Sequence, residues 1–177
     1  EKNVIANFEK NAVVQSDLME IAAASLPWDE LRNKTLLITG AGGFLAAYLA
    51  KIVLAVSDLH GLNSRVICVA RSTESIRRRL ADWQSHRGFS FYRQDLSQPL
   101  QADFPKTDYI IHAASQASPK YYGVDPVGTL LPNTIGTANL LDHAHRTDAQ
   151  RVMFFSSGSV YGKQVVHEGQ IDETQFG

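Results

Sequence analysis

TLLITGAGGFLAAYLAKIVLAVSDL, Thr35 to Leu59, sets the reading of everything around it. TLLIT is a short apolar run of strand length, and from Gly43 to Leu59 the chain is apolar over a helix-length block. The corner between them carries glycines at 40, 42 and 43. Turning a strand this sharply into a helix needs residues without a Cβ. The backbone can then approach a pyrophosphate closely, and the first amides of the helix point at its negative charge. Gly40, Gly43 and Ala46 give the spacing TGxxGxxG with alanine in the last place, small enough for the helix to lie against its strand. Glycine-rich corners also occur with nothing bound. What favours a phosphate site is placement after a strand, at the opening of a helix and at the start of a βαβ unit. Gly40, Gly42 and Gly43 are therefore candidate cofactor-binding residues.

The same alternation continues downstream. RVICVAR reads as a second apolar strand, TESIRRRLADWQ as a charged amphipathic helix, and FSFYRQD and DYIIHAA as two further strands. PVGTLLPNTIGTANLLDHAHR is then a helix and RVMFFSS a fifth strand. Strands apolar on both faces and separated by helices predict a parallel sheet covered on both sides. Right-handed crossovers predict a doubly wound, three-layer α/β/α arrangement of Rossmann type with strand order 3-2-1-4-5. Pro132 falls inside the helix before the fifth strand and is expected to bend it or split off its first turn. Before Thr35, Leu18, Ile21 and Ala22 are spaced for a helix capped by Ser16 or Asp17, followed by Pro27 and a WDEL turn. We read residues 1–33 as a helical extension and 34–177 as the sheet domain.

Composition excludes several functions. An apolar content of 44% with 20% charged residues fits a folded globular core. A formal net charge of -1 offers no general attraction to nucleic acid or to an anionic membrane. Arg77, Arg78 and Arg79 are flanked by Glu74 and Asp82 without interleaved aromatics, which reads as a solvated helix face. No apolar run approaches the roughly 18 residues of a membrane span, and EKNVIANFEK lacks the layout of a secretory signal. Cys68, in the run Val66-Ile67-Cys68-Val69, reads as a buried thiol, and a reducing cytoplasm fits it. The histidines are scattered, with His143 and His145 two apart on a helix and so divergent; packing or solvated roles are expected, and no metal site. SSGSVYG lacks the first glycine of the hydrolase GxSxG motif.

The end of the second strand discriminates between cofactors. A dinucleotide site of this kind places Asp or Glu there to hold the ribose hydroxyls of NAD. This chain has Ala70 and then Arg71. A guanidinium beside the hydroxyls of Ser72 and Thr73 suits the extra phosphate of NADP, whereas an acid would repel it. NAD or NADP is thus expected, with NADP favoured; the alternative is that Arg71 stacks on the adenine or points to solvent.

TGAGGFLA (39–46), QDL (94–96), IIHAAS (110–115), NTIGTANLL (133–141) and FFSSGSVYG (154–162) follow one another in a recognisable order. From about Thr35 to Gly162 the chain resembles the extended short-chain dehydrogenases that modify nucleotide sugars. HAASQASPKYYGVDPVGTLLPNTIGT (112–137) is most similar to the corresponding segment of UDP-glucuronate decarboxylases, where an ASP tripeptide, a tyrosine and a downstream NP or DP precede the helix. The resemblance implies Asp95 and Leu96 at the adenine, Ala113, Ala114 and Ser115 along the cofactor, with Ser156 also on the cofactor, and Asn133 near its phosphate and nicotinamide side. It implies that Phe44 and Leu45 offer backbone amides to the pyrophosphate, and that Ser118 and Tyr122 face the nucleotide sugar. It also implies a homodimer built through helices that flank the site. From the residues alone, Asp95 could equally be a turn residue, Tyr122 half-buried packing and Asn133 a helix cap.

The same resemblance assigns Ser157 a catalytic role, holding the reacting sugar oxygen. Its partner in the family is a Tyr-x-x-x-Lys pair, in which the tyrosine moves a proton as hydride passes to or from nicotinamide. The six tyrosines do not supply one: Ile52, Leu96, Ala113, Asp125, Pro126 and Val165 lie four residues beyond Tyr48, Tyr92, Tyr109, Tyr121, Tyr122 and Tyr161. The family's spacing places the tyrosine just beyond Gly177, so the expectation is a longer polypeptide whose catalytic pair and sugar-binding region follow, and a fragment that alone is inactive. Decarboxylases and dehydratases of the family carry a glutamate just before the VYG valine, and dehydratases an aspartate before that. Here Ser159 and Gly158 stand in those places, and a serine cannot replace a carboxylate as general base near neutral pH. Redox chemistry at a sugar carbon needs no such acid, so epimerisation or ketoreduction stays open beside decarboxylation. A dinucleotide-binding sensor or scaffold that lacks catalysis is the competing reading.

Overall fold

A computed structural model describes residues 4–116, 118–162, 171, 173 and 174. Its strands are β1 (Thr35–Thr39), β2 (Arg65–Ala70), β3 (Phe89–Arg93), β4 (Tyr109–His112) and β5 (Arg151–Phe154). They form one sheet in the order β3-β2-β1-β4-β5 with every pairing parallel. Strand order, sheet class and layering agree with the sequence reading.

Because successive strand side chains alternate faces, each strand feeds two cores. Leu36, Ile38, Val66 and Cys68 join Ala47, Ala50 and Leu54 of α2 (Phe44–Leu59) and Ile76 and Leu80 of α3 (Thr73–Leu80). On the other face Leu37, Ile67, Val69 and Ile110 meet Leu140 and Ala144 of α5 (Ile135–Thr147), which follows α4 (Pro126–Asn133). Leu37 is fully buried, and truncation to alanine there costs about 2–5 kcal/mol of fold stability. Cys68 is free and buried, and burial pushes its thiol up to about 12. No helix among the described residues is long and apolar enough to cross a membrane.

Three local expectations are corrected. Helix α1 spans Ala12–Ala23 and its cap is Asn11, whose side chain accepts from the amides of Val13 and Val14. Ser16 and Asp17 therefore lie inside the helix, while Leu18 and Ala22 are buried as the periodicity required. The charged helix ends at Leu80, and a 3-10 turn at Asp82–Ser85 then carries Trp83 into the core. Pro132 sits near the end of α4, which breaks at Thr134 (φ -111°, ψ -78°), so eight residues are set off rather than one turn.

The residues before β1 are tied to the sheet and its helices through packing and charge. Ile5 and Leu18 enter the core that α2 and α3 share. Phe8 lies against the rings of Trp83 (5.6 Å) and His86 (4.8 Å). Glu9 is buried and accepts from Lys51 Nζ (2.5 Å), the Asn11 amide (3.0 Å) and the Trp83 indole (3.4 Å).

Candidate functional site

The glycine corner has the close approach its sequence predicts. Gly40 sits in the left-handed region (φ +68°), and a Cβ there would lie 2.5 Å from the Ala113 carbonyl oxygen and 2.8 Å from Ala114 Cα. Both obstacles are backbone, so no side chain fits. A Cβ on Gly42 would strike the Ser75 side chain. Gly43 donates its amide to the Gly40 carbonyl (2.8 Å) and caps α2, so the first amides of that helix face the crevice. Ala46, in place of a third glycine, is buried against the core as expected.

Two cavities meet at this corner, beyond the carboxyl ends of β1, β2, β4 and β5, where ligands of open α/β sheets bind. One, of about 260 Å³, is lined by Arg71, Ser72, Ser75, Gln94, Asp95 and Leu96, together with the glycines and Ala113 to Ser115. The other, of about 650 Å³, is lined by Phe44, Leu45, Tyr122, Asn133, Ser156 and Ser157, again with Gly40 and Gly43. Gly40, Gly43, Ala113 and Ser115 border both, so they form one elongated crevice. Of the residues singled out from sequence for the site, Thr73 and Ser118 line neither cavity; Thr73 opens α3, and the Ser118 carbonyl accepts the Tyr121 amide (3.0 Å) in the turn that leads to Tyr122.

Several side chains are held in place by identifiable bonds. Asp95 Oδ1 accepts the Ser97 amide (2.9 Å), and that bond, with the nearby Arg71 charge, holds its carboxyl below the usual range. Asp95 is thus a turn residue as well as a lining residue. Leu96 is buried, and its carbonyl accepts Asn139 Nδ2 (2.7 Å), which pins the loop after β3 to α5. Asn133 Nδ2 donates to Ser115 Oγ (3.0 Å) and to the Thr129 carbonyl (2.7 Å), joining α4 to the end of β4. Ser157 Oγ accepts the Ser159 amide (3.2 Å) and opens the 3-10 turn Gly158–Tyr161, with its hydroxyl at the cavity wall. Asp125, rather than Asn133, caps α4, through the Gly128 amide (2.9 Å).

Sequence reasoning missed the residues beneath the crevice. Thr39 and His112 are buried polar side chains whose polar atoms lie 2.8 Å apart, whereas the sequence reading gives His112 only the packing or solvated role of any scattered histidine. The available signal was a polar residue at the last position of each of two otherwise apolar strands. Gln94 and Ser75 also line the crevice without having been singled out.

A doubly wound sheet with a glycine corner at the point where its strand order reverses defines a Rossmann-type α/β protein. The chain belongs to the NAD dependent epimerase/dehydratase family, whose model matches residues 36–176. It is 33% identical over 135 residues to UDP-glucuronic acid decarboxylase 6 of Arabidopsis thaliana, a match covering 76% of this chain and 37% of that protein. It is 36% identical over 138 residues to UDP-glucuronic acid decarboxylase 1 of Danio rerio, covering 78% and 31%. The chain therefore spans well under half the length of the curated relatives it matches. Among solved structures it is similar to a UDP-N-acetylglucosamine 4-epimerase of Methanobrevibacter ruminantium, with TM-score 0.62, 21% identity, and coverage of 82% of this chain and 44% of that one. A dTDP-glucose 4,6-dehydratase of Streptomyces venezuelae gives TM-score 0.62 at 24% identity, covering 73% and 41%. At these identities the structural likeness speaks for the fold.

Proposed function

We propose that this chain is the cofactor-binding portion of an NAD(P)-dependent enzyme that modifies a nucleotide sugar by hydride transfer at a sugar carbon. The observation that carries the reading is the single crevice running from Arg71 and Asp95, across Gly40 and Gly43, to Ser156 and Ser157. The cradle fits a pyrophosphate: Gly40, in its left-handed conformation, lets the corner lie directly against the backbone of Ala113 and Ala114, and the α2 amides supply donors without a counter-charge. Bound there, a nicotinamide dinucleotide supplies the hydride chemistry. Asp95 and Leu96 border the adenosine side, Ala113 to Ser115 the middle, and Asn133 with Ser115 the nicotinamide side. Ser157 holds a sugar oxygen, and Tyr122 borders the sugar.

Arg71 favours NADP in this reading, since the Ser72 hydroxyl adds a donor at the same cavity end, the Ser75 hydroxyl being spent on the Ser72 carbonyl (2.7 Å). Asp95 lines that end as well, so the guanidinium serves both a carboxylate and a phosphate and the preference is moderate. The similarity to decarboxylases suggests a uronic acid nucleotide. Ser159, whose amide is bonded to Ser157, leaves no carboxylate at the family's general-base position, which suits epimerisation or ketoreduction. Exposed Leu130, Ile135 and Leu141 on α4 and α5 suit a homodimer, and the buried thiol of Cys68 suits the cytoplasm. We further take residues 1–33 as a helical N-terminal extension and 34–177 as the dinucleotide domain.

The test is the intact gene product with NAD and NADP and a panel of UDP-, GDP- and dTDP-sugars, products being identified by mass and NMR. Conversion that drops by orders of magnitude in Ser157→Ala, with cofactor affinity kept, is expected. Dinucleotide binding without conversion of any sugar would favour the sensor reading, in which the binding fold is kept without catalysis.

A further inference from the structure

Under the floor of the crevice runs a hydrogen-bonded chain that none of the roles above uses. Thr39 Oγ1 accepts the amides of Ala113 (3.2 Å) and Ala114 (3.3 Å) and lies 2.8 Å from His112 Nδ1. His112 Nε2 lies 2.9 Å from the Pro132 carbonyl oxygen. Both side chains are buried, so their polar atoms depend on these partners.

The directions follow from counting. A hydroxyl oxygen has two lone pairs and one proton. The two amides take the lone pairs of Thr39, so its proton points at His112 Nδ1. Nδ1 is then an acceptor, and the neutral ring keeps its proton on Nε2 and donates it to Pro132. That carbonyl is one of the last four of α4, which a helix end leaves for outside partners. A proton on Nδ1 would face an oxygen whose lone pairs are already occupied.

The chain joins the three elements that make the crevice. Thr39 precedes Gly40, His112 precedes Ala113 to Ser115, and Pro132 precedes Asn133, whose amide reaches back to Ser115. Gly40 tolerates no error in this alignment, since Ala113 already occupies the place of its Cβ. Building on the cofactor reading above, we propose that His112, as the neutral Nε2–H tautomer, is a positioning residue that sets the crevice for the dinucleotide, and that protonating it loosens the crevice. Among the described residues, the groups against the ring are Thr39 from β1, the Pro132 carbonyl from α4 and the Phe154 ring from β5 at 5.3 Å, none of them charged. Burial accordingly pushes the ring below its usual 6.5. With the folded value depressed, the alignment is fully present above pH 6.5 and is lost as pH falls through the lower folded value.

Nitrogen-edited NMR of the imidazole in the intact protein, beside dinucleotide titrations across pH, tests both halves. The expected spectrum shows Nε2–H and a ring still neutral at pH 6.5. Wild-type affinity should fall in step with the titration of His112. His112→Phe and Thr39→Val should each weaken binding by about tenfold, as for a lost buried hydrogen bond, and flatten that pH dependence, while Thr39→Ser restores both. An Nδ1–H tautomer, or a ring charged near neutrality, overturns the proposal. Unchanged affinity and pH profile in His112→Phe overturns the positioning role alone. A wild-type protein that binds neither dinucleotide overturns the cofactor reading and this role with it.

Discussion

Glu9 and His112 are both buried polar side chains, yet the structure uses them in opposite ways. Glu9 carries a charge into the seam between the extension and the sheet domain, where Lys51, the Trp83 indole and the Asn11 amide surround it. Burial alone would raise its carboxyl, but the bonds from Lys51 and the Asn11 amide outweigh burial and hold it below its ordinary value. His112 sits among neutral groups under the crevice and is kept uncharged. A charged knot resists separation because any lost partner strands a buried ion. A neutral chain of bonds costs less to break, but it fixes which atom carries the proton and hence how three backbones align. The extension thus supplies attachment and the crevice floor supplies geometry, so damage to one should leave the other's readout intact.

The largest break should come from Gly40→Ala. Its left-handed backbone alone adds strain of about 1–3 kcal/mol, and the Cβ also meets backbone that cannot swing away. Isothermal titration should then detect no dinucleotide binding. Glu9→Ala should instead destabilise the fold by about 3 kcal/mol in urea unfolding, since the half-buried Lys51 ammonium, the Trp83 indole and the Asn11 amide all lose their acceptor. Dinucleotide affinity should not move; a parallel loss would mean that the two regions are coupled. Arg71→Ala should weaken NADP by about tenfold, roughly the worth of a charge-assisted bond, and leave NAD untouched. The smallest effect is graded and sharpens the contrast in pH. Affinity should decline as pH falls through the His112 value, which burial holds below 6.5. The stability from Glu9, whose folded value lies below 4.5, should hold until pH falls through that lower value. A single joint transition in both readouts would erase the distinction.

How much of this could be read in advance depends on where the physics is local. Strand order and layers were legible because apolar runs such as TLLIT and RVICVA have no other way to be buried than between helices. The glycine corner was legible because a missing Cβ is a property of the residue itself. The cap at Asn11 was hidden by periodicity that starts further along, at Leu18, and the break after Asn133 depends on Thr134 as well as on Pro132. The Thr39–His112–Pro132 chain was illegible, because its members are 73 and 20 residues apart and meet only once strands and helix are assembled. Asp95 combines a turn bond with a place on the crevice wall, so the alternatives weighed for it were not exclusive, whereas Asn133 lines the wall and Asp125 makes the cap.

The central claim is that the amides behind the glycine corner hold the pyrophosphate of a nicotinamide dinucleotide. Backbone amide NMR during titration with NADP tests it most directly. Saturable shifts at Ala41 to Leu45 and Ala113 to Ser115, with the resonances of Glu9 and Lys51 unmoved, are the predicted result. Shifts confined to other surfaces, or none at the corner at saturating dinucleotide, would contradict it.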